Sequence, residues 1–479
     1  MEEKSIKKNY IFNTVYQVIT ICIPLFTAPY LSRVLGANGI GIQSYTNSIV
    51  SYFVLFAILG SSTFGQKKIA SVRNNIDELT ESFWNIVFFR AFMVLTTLIA
   101  YFIFIFFNKK YLIIYVVSVL NIINVFFDIT WFYQGIEDFP KIVSRNCIVR
   151  ITQVLFIFTF VKSSTDLFLY IASLCFFTLI ANLWTWLYIP KYIKKPNNKI
   201  DIFKNLKEMI LLFLPTIATQ VYLVLDKSMI GLITNSAYQN GCYEQSEKIV
   251  RLSLTVVTSA AAVILPRIAN LYNNGNQEKA KEYVYKGYKF VWILAVPISF
   301  GLIGIANIFV PVFFGEGYDL AKILIPIFSI LVLAVSLAYV TGYSFLIPIG
   351  KQNIYTVVVC LSAIINLIMN IILIPKIGAI GAAVASVTAE CIGAILQIYY
   401  CCRTGLLKIN NIFETVWKNI ISGIIMFIVI IIIQHYLKTN LISLIFIIII
   451  GGIVYLGLLL LFKDQFLIKN IKLLVNRSK

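Results

Sequence analysis

The chain has 479 residues, of which 59% are hydrophobic and only 13% are charged, and its formal net charge is +19. Soluble proteins carry roughly 25% charged residues, so this composition excludes a chain of soluble domains. A transmembrane β-barrel is also excluded, because the apolar runs are long and unbroken rather than short and alternating. The sequence therefore predicts an all-α polytopic membrane protein.

Fourteen apolar runs have about the 20 residues that a helix needs to cross a bilayer. They are predicted at 10–35, 41–65, 83–107, 111–134, 146–162, 166–189, 207–234, 242–266, 288–314, 321–348, 353–374, 378–402, 416–435 and 441–462. Two connections are longer than the rest, the basic loop 190–207 and the polar stretch 270–289. The polar stretch is predicted to form a helix at the membrane interface.

Basic residues favour one side of this topology. With the N-terminus inside, the outer side holds six lysines and no arginine: Lys109, Lys110, Lys162, Lys322, Lys376 and Lys438. Because cytoplasmic loops of membrane proteins are enriched in Lys and Arg, both termini are predicted to be cytoplasmic. The same bias explains the net positive charge, so we expect no nucleic-acid partner.

Two short segments suggest an internal repeat. Residues 41–50 read GIQSYTNSIV and residues 241–250 read GCYEQSEKIV, each opening the second helix of a set. Six helices in each half keep both halves in the same orientation, as in parallel transporter repeats around a central cavity. The predicted organisation is an N-terminal lobe 1–189, a basic cytoplasmic linker 190–206, a C-terminal lobe 207–402, and an appendage 403–479 with two helices and a basic tail.

Four segments on the expected spans resemble polysaccharide-repeat flippases of the Wzx type. They are PYLSRVLGANGIG at 29–41, DITWFYQGIED at 128–138, LDKSMIG at 225–231 and GAIGAAVA at 378–385. These flippases belong to the multidrug/oligosaccharidyl-lipid/polysaccharide exporter superfamily. The resemblance implies two six-helix lobes and alternating access in a bacterial cell membrane. It also implies transfer of an undecaprenyl-diphosphate-linked oligosaccharide to the outer leaflet for capsule, O-antigen-like or exopolysaccharide synthesis. A polymerase and glycosyltransferases are the implied protein partners.

Charged residues inside the spans are the candidate binding groups. A single polar stripe on an apolar helix faces the bundle interior or water, not lipid. Arginine donates paired hydrogen bonds to phosphate and lysine supplies a point charge, so a cationic cavity suits a diphosphate headgroup. The candidates for substrate binding are Arg33, Arg90, Arg150, Lys227, Lys248 and Arg251. Candidates for contact with the sugars are Gln17, Tyr30, Gln43, Trp131, Gln220, Tyr222 and Tyr243.

The intramembrane carboxylates have a second possible role. Such an acid can release a proton or bind sodium as access alternates, so no cofactor is expected beyond coupling to a Na⁺ or H⁺ gradient. The candidates are Asp128, Asp226, Glu247 and Glu390. The alternative is that the charges form buried ion pairs that fix helix register, such as Glu247 with Arg251 or Arg90 with Asp128.

Other functions fit the sequence less well. A small-molecule efflux antiporter of the same superfamily would favour an acidic cavity for cationic drugs. A membrane polysaccharide polymerase would need a large outer loop with catalytic groups, whereas the loop 234–241 carries no charge. One histidine, His435, and eight scattered cysteines offer no Ser-His-Asp triad and no metal cluster. A non-enzymatic transporter is therefore predicted.

Overall fold

The computed structural model describes residues 6–196, 200–262 and 264–470, although the side chains of 6–19, 21, 214–216, 218, 219, 221, 260 and 262 lie outside the description. Within these ranges the chain forms α-helices joined by short connections and contains no β-strand. The predicted all-α class is confirmed.

The helices follow one another in chain order. They are α1 Ile6–Ile58, α2 Ser61–Val72, α3 Ile76–Phe107, α4 Leu112–Phe127, α5 Thr130–Gly135, α6 Phe139–Phe160, α7 Leu167–Trp186, α8 Leu206–Thr234, α9 Ala237–Ala262, α10 Leu265–Asn273, α11 Gln277–Phe313, α12 Ala321–Ala338, α13 Gln352–Arg403, α14 Ile409–Phe413, α15 Val416–Tyr436 and α16 Leu441–Leu461. A π-helical segment, Tyr339–Leu346, continues α12.

Ten helical segments of the described chain are long and apolar enough to cross a membrane. Two of them are broken, α1 at Gly36 and α13 at Ile377 and Gly378, so each provides two spans. Helices α8 and α9, with 29 and 26 residues, are long enough to add two more. These segments correspond to the fourteen predicted spans.

Residue contacts divide the chain into an N-terminal unit, Met1–Ser228, and a C-terminal unit, Met229–Lys479. The division falls inside α8. The lobe limits read from the sequence stay a prediction.

In the N-terminal unit, two helix boundaries differ from those expected. The second span was predicted to run to residue 65, but α1 ends at Ile58 and a left-handed turn at Leu59 and Gly60 starts α2. Gly60 is needed there because a Cβ atom would stand 2.2 Å from the carbonyl oxygen of Met209. Helix α6 begins at Phe139 instead of 146, with Pro140 in its first turn, a position that favours proline.

The N-terminal unit has a dense aromatic core at the end formed by α2, α5 and the start of α3. Phe83, Trp131 and Phe132 are almost fully buried there. The contact is close because a Cβ on Gly65 would stand 2.5 Å from the Trp131 ring. This packing buries aromatic side chains of α2, α3 and α5 against one another.

The described residues of the basic linker contact α3. The Trp84 indole donates to the carbonyl of Lys194 at 3.0 Å, and the Asp201 amide donates to Asn85 at 3.2 Å. Lys204 pairs with Glu81 at 2.8 Å, and this hydrogen bond and charge raise the pKa of Lys204.

In the C-terminal unit, the expected interfacial helix is absent as a separate element. The stretch 270–289 was predicted to form it, but α10 ends at Asn273 and α11 starts at Gln277 and continues to Phe313. With 37 residues α11 is about 55 Å long, more than the bilayer core requires. Its polar first turns therefore extend beyond the apolar part of the helix.

Helix α15 packs on α11 through two glycines. A Cβ on Gly423 would stand 2.8 Å from Phe300 and Val296, and a Cβ on Gly304 would stand 2.9 Å from Ile430. Small residues that let helix backbones approach are a main source of helix association in membranes. The appended helices are held by this contact.

We expect Gly423→Val to loosen α15 from α11, because Phe300 and Val296 cannot both move away from the new side chain. The cost should be about 1–3 kcal/mol, as for overpacked cores. The rate of limited proteolysis between α14 and α15 reports how firmly α15 is held on α11. Gly457→Val is the matched control, since nothing lies within 4 Å of a Cβ at Gly457. Equal cleavage of both variants would contradict the glycine contact.

Candidate functional site

Arg90 is enclosed by protein. It is 1% exposed, and a charge at the centre of a membrane helix costs about 2.5–3.5 kcal/mol unless compensated. Its guanidinium donates to Ser61 at 2.8 Å, Ser62 at 2.6 Å and the carbonyls of Val125, at 3.2 Å, and Asp128. Arg90 thus joins α3 to the start of α2 and the end of α4.

Asp128 completes this junction. Its carboxylate lies 4.0 Å from Arg90 but accepts closer hydrogen bonds from the Thr130 amide, at 3.0 Å, and hydroxyl, at 2.6 Å. The carboxylate therefore forms a local turn before the short helix α5, as Asp side chains commonly do. The indole of Trp131 donates to the Asp128 carbonyl at 3.0 Å. The structure brings Arg90 and Asp128 together, in a geometry that favours the structural alternative for both.

Arg150 lies in a different place, beside a residue that the sequence did not single out. A cavity of about 180 Å³ between α6 and α7 is lined by Arg145, Arg150, Gln153, Thr178 and Asn182 among others. Arg145 was assigned to an inner loop because the span was predicted to start at 146, yet it is 5% exposed inside α6. Pro140, typical of a first helical turn, was the signal that could have placed it there.

Helix α8 carries Asp226 and Lys227 at the end of the N-terminal unit. Asp226 is 6% exposed, whereas Lys227 is partly exposed. The neighbouring Ser228 hydroxyl lies 2.8 Å from the Tyr52 hydroxyl on α1. Arg33, also on α1, is exposed.

Helix α9 carries the charged stripe of the C-terminal unit. Glu247 is buried and accepts a 2.7 Å hydrogen bond from Arg251, whose side chain is 41% exposed. The predicted pair with i,i+4 spacing is therefore present. Lys248 is partly exposed on the same side of the helix as Arg251.

Helix α13 carries Glu390 and a polar contact that was not predicted. Glu390 is half-buried. Nearer the break in α13, Asn366 and Asn370 are fully buried, and Asn366 donates to Ser386 at 3.1 Å while Asn370 donates to Asn366 at 3.1 Å. The hydrogen bond between Asn366 and Ser386 links the two halves of α13 across the break.

Two of the aromatic side chains proposed for sugar contact are inaccessible. Trp131 and Tyr243 are each 1% exposed, and Tyr243 packs on Phe328. Tyr30 donates to the Val161 carbonyl at 2.6 Å. Gln43 and Tyr222 are partly exposed and Gln220 is exposed, while the side chain of Gln17 lies outside the described residues.

The helical fold and the charges within it define a polytopic membrane transporter with two units. A family model described as polysaccharide biosynthesis protein matches residues 6–272. The chain belongs to this family, as the four sequence segments predicted.

Curated relatives match over much of the chain. A putative O-antigen transporter of Escherichia coli (strain K12) is 24% identical over 420 residues, covering 84% of this chain and 98% of the relative. A probable low-salt glycan biosynthesis flippase of Haloferax volcanii is 24% identical over 257 residues, covering 53% of each chain.

Solved structures share the fold. The lipid II flippase MurJ, in an inward closed conformation, aligns with a TM-score of 0.74 at 16% identity, covering 95% of this chain and 99% of its own. An inward-facing multidrug resistance MATE transporter aligns with a TM-score of 0.61 at 12% identity, covering 83% and 98%. Both alignments show that this chain shares its fold with these two transporters.

Proposed function

We propose that the protein moves a lipid-linked oligosaccharide, carried on undecaprenyl diphosphate, from the cytoplasmic to the outer leaflet for surface polysaccharide synthesis. The observation that carries this proposal is the presence of partly or fully exposed cations inside membrane-length helices: Arg150, Lys227, Lys248 and Arg251. Cations at such depth suit a phosphate headgroup, which must pass the apolar layer. The O-antigen transporter and glycan flippase among the relatives support the same cargo.

Within this proposal, the residues divide into two groups. Lys227, Lys248, Arg251, Arg150 and Arg33 contact the diphosphate, because each has exposed surface. Arg90 was a candidate for the same role, but its donors bind protein groups, so we assign it to the structure of the N-terminal unit.

Coupling to an ion gradient is assigned to the carboxylates that are not used in turns. Asp226 and Glu247 are buried, and Glu390 is half-buried. Protonation or sodium binding at these groups would therefore change the charge inside the protein. Asp128 is the weakest candidate, because its hydrogen bonds to Thr130 are those of a local turn.

The proposed cellular setting follows from the cargo. The protein would lie in a bacterial cell membrane with both termini in the cytoplasm, where Lys and Arg accumulate. Glycosyltransferases would supply its substrate and a polymerase would use its product. Its own residues would carry out transport without a chemical reaction.

We expect Lys227→Ala, Lys248→Ala and Arg251→Ala each to reduce surface polymer at least tenfold in a strain that lacks its own flippase. Removing one cation weakens the phosphate contact that the cargo needs during passage. Polymer is measured on cells with equal amounts of inserted protein.

Lys322→Ala is the control for these variants, because it removes the same charge at a different place: Lys322 is in the first turn of α12 and pairs with Asp319. Full polymer from all three variants would refute the proposal that these cations contact the diphosphate.

An efflux antiporter remains the second candidate, since the MATE transporter shares the fold. It would need acidic surface for cationic drugs, whereas no carboxylate lines the cavity between α6 and α7 in the described chain. Drug resistance unchanged by expression of the protein, together with restored polymer, would decide against it.

A further inference from the structure

The cavity between α6 and α7 is lined by two positively charged side chains. Arg145 and Arg150 both line it, and the described lining contains no Asp or Glu. The other polar lining groups are neutral amides and a hydroxyl, such as Gln153 and Thr178. A site of this composition attracts an anion.

The two arginines differ in how they are held. Arg145 is buried and donates to the Ala181 carbonyl at 2.7 Å and to Asn146 at 2.7 and 3.1 Å, so its guanidinium is fixed in position. Arg150 is exposed, and no hydrogen bond or ion pair fixes it within the described ranges of the chain. Arg150 is therefore available to a ligand, and Arg145 lines the same cavity.

The cavity lies at membrane depth and borders an apolar surface. Arg150 is the twelfth of the 22 residues of α6, so it is close to the middle of a helix about 33 Å long. Ile148, Ile151 and Leu155 of the same helix are 50%, 51% and 60% exposed. A ligand with an anionic head and a hydrocarbon chain can bind the arginine with its head and contact the apolar side chains with its chain.

We propose that this cavity binds the phosphate-bearing headgroup of a lipid, with Arg150 as the direct contact and Arg145 as a fixed second cation. Arginine suits this role because its planar fork donates two parallel hydrogen bonds to phosphate oxygens. The volume of about 180 Å³ is below the range of drug-sized pockets, so the headgroup enters and the chain stays outside. The inference rests on the proposed function, whose cargo carries such a diphosphate.

The test measures binding of undecaprenyl diphosphate to the full-length protein in nanodiscs. We expect Arg150→Gln to weaken binding at least tenfold and Arg150→Lys about threefold, because lysine keeps the charge but loses the fork. Arg403→Gln, which removes an exposed arginine at the end of α13, should bind within twofold of the parent. Arg150 is exposed, so its variants are expected to fold.

Competition identifies the source of the phosphate. Unlabelled undecaprenyl diphosphate should displace labelled undecaprenyl diphosphate from the protein. Inorganic pyrophosphate should compete at least tenfold less well, because it has no hydrocarbon chain. Equal competition by pyrophosphate would overturn the assignment to a lipid, and equal competition by phosphatidylglycerol would overturn the link to the cargo. Binding by Arg150→Gln that equals the parent would overturn the site itself.

A liposome transport assay separates this inference from the proposed function. If the parent protein moves no lipid-linked oligosaccharide but Arg150→Gln still loses lipid binding, the function fails and the site stands. If the parent transports and Arg150→Gln binds and transports equally well, the function stands and the site fails.

Discussion

Arg90→Ala is expected to destabilise the N-terminal unit by about 3–5 kcal/mol, the range for removing one partner of a buried charged network. The variant would lose hydrogen bonds to Ser61, Ser62 and Val125 and would leave a cavity between α2, α3 and α4. The stacking partner Trp131, whose ring centroid lies 5.5 Å from the guanidinium, would lose a contact as well. Thermal unfolding of the purified protein in detergent measures this loss.

Arg73→Ala is the matched control for this prediction. Arg73 pairs with Glu137 at 2.7 Å, but the two side chains are 38% and 53% exposed. Such surface pairs contribute about 0–1 kcal/mol, so the control should unfold close to the parent temperature. Arg90→Lys should remain unstable, because an ammonium cannot reach the same set of acceptors. If Arg90→Ala unfolds like Arg73→Ala, the proposed structural role of Arg90 is wrong.

The spans were predictable because a bilayer imposes a simple rule of length and apolarity. The breaks at Gly36 and Gly378 also fall in or next to predicted turns, as the sequence segments around them suggested. The start of α6 was missed because residues 139–145 are mixed in polarity. Apolar length does not detect a helix that continues past the apolar layer.

The role of each buried charge was less predictable. The pair of Glu247 with Arg251 follows from spacing on one helix, so the sequence sufficed. The partners of Arg90 come from residues 28 to 38 positions away and include backbone carbonyls. A carbonyl is present at every residue, so no sequence pattern marks it as a partner. The positive charge of the α6–α7 cavity was also not predicted. The span was predicted to start at 146, so Arg145 was not placed inside the helix.

Gly378 is the second position where a small change should have a large effect. Its φ of 57° and ψ of −134° lie in a region that residues with a side chain rarely enter. A Cβ there would also stand 2.0 Å from the Gln239 side-chain oxygen, which accepts a 2.8 Å hydrogen bond from the Ala379 amide. Gly378→Ala therefore combines backbone strain with a clash against Gln239 and the loss of this bond, and we expect about 2–5 kcal/mol of destabilisation.

Gly36 separates the two contributions, because its φ of 66° is also left-handed but nothing lies within 4 Å of a Cβ there. Gly36→Ala should cost only the strain, about 1–3 kcal/mol. Thermal unfolding of both variants and of Gly378→Ala/Gln239→Ala tests the difference. The double variant removes the clash but keeps the strain and still lacks the hydrogen bond, so it should be more stable than Gly378→Ala. Equal stability of these two variants would show that the Gln239 side chain moves aside without cost. Because Gln239 is in the first turn of α9, this contact joins the break in α13 to the helix that carries Lys248 and Arg251. Loss of the contact should therefore lower transport as well as stability.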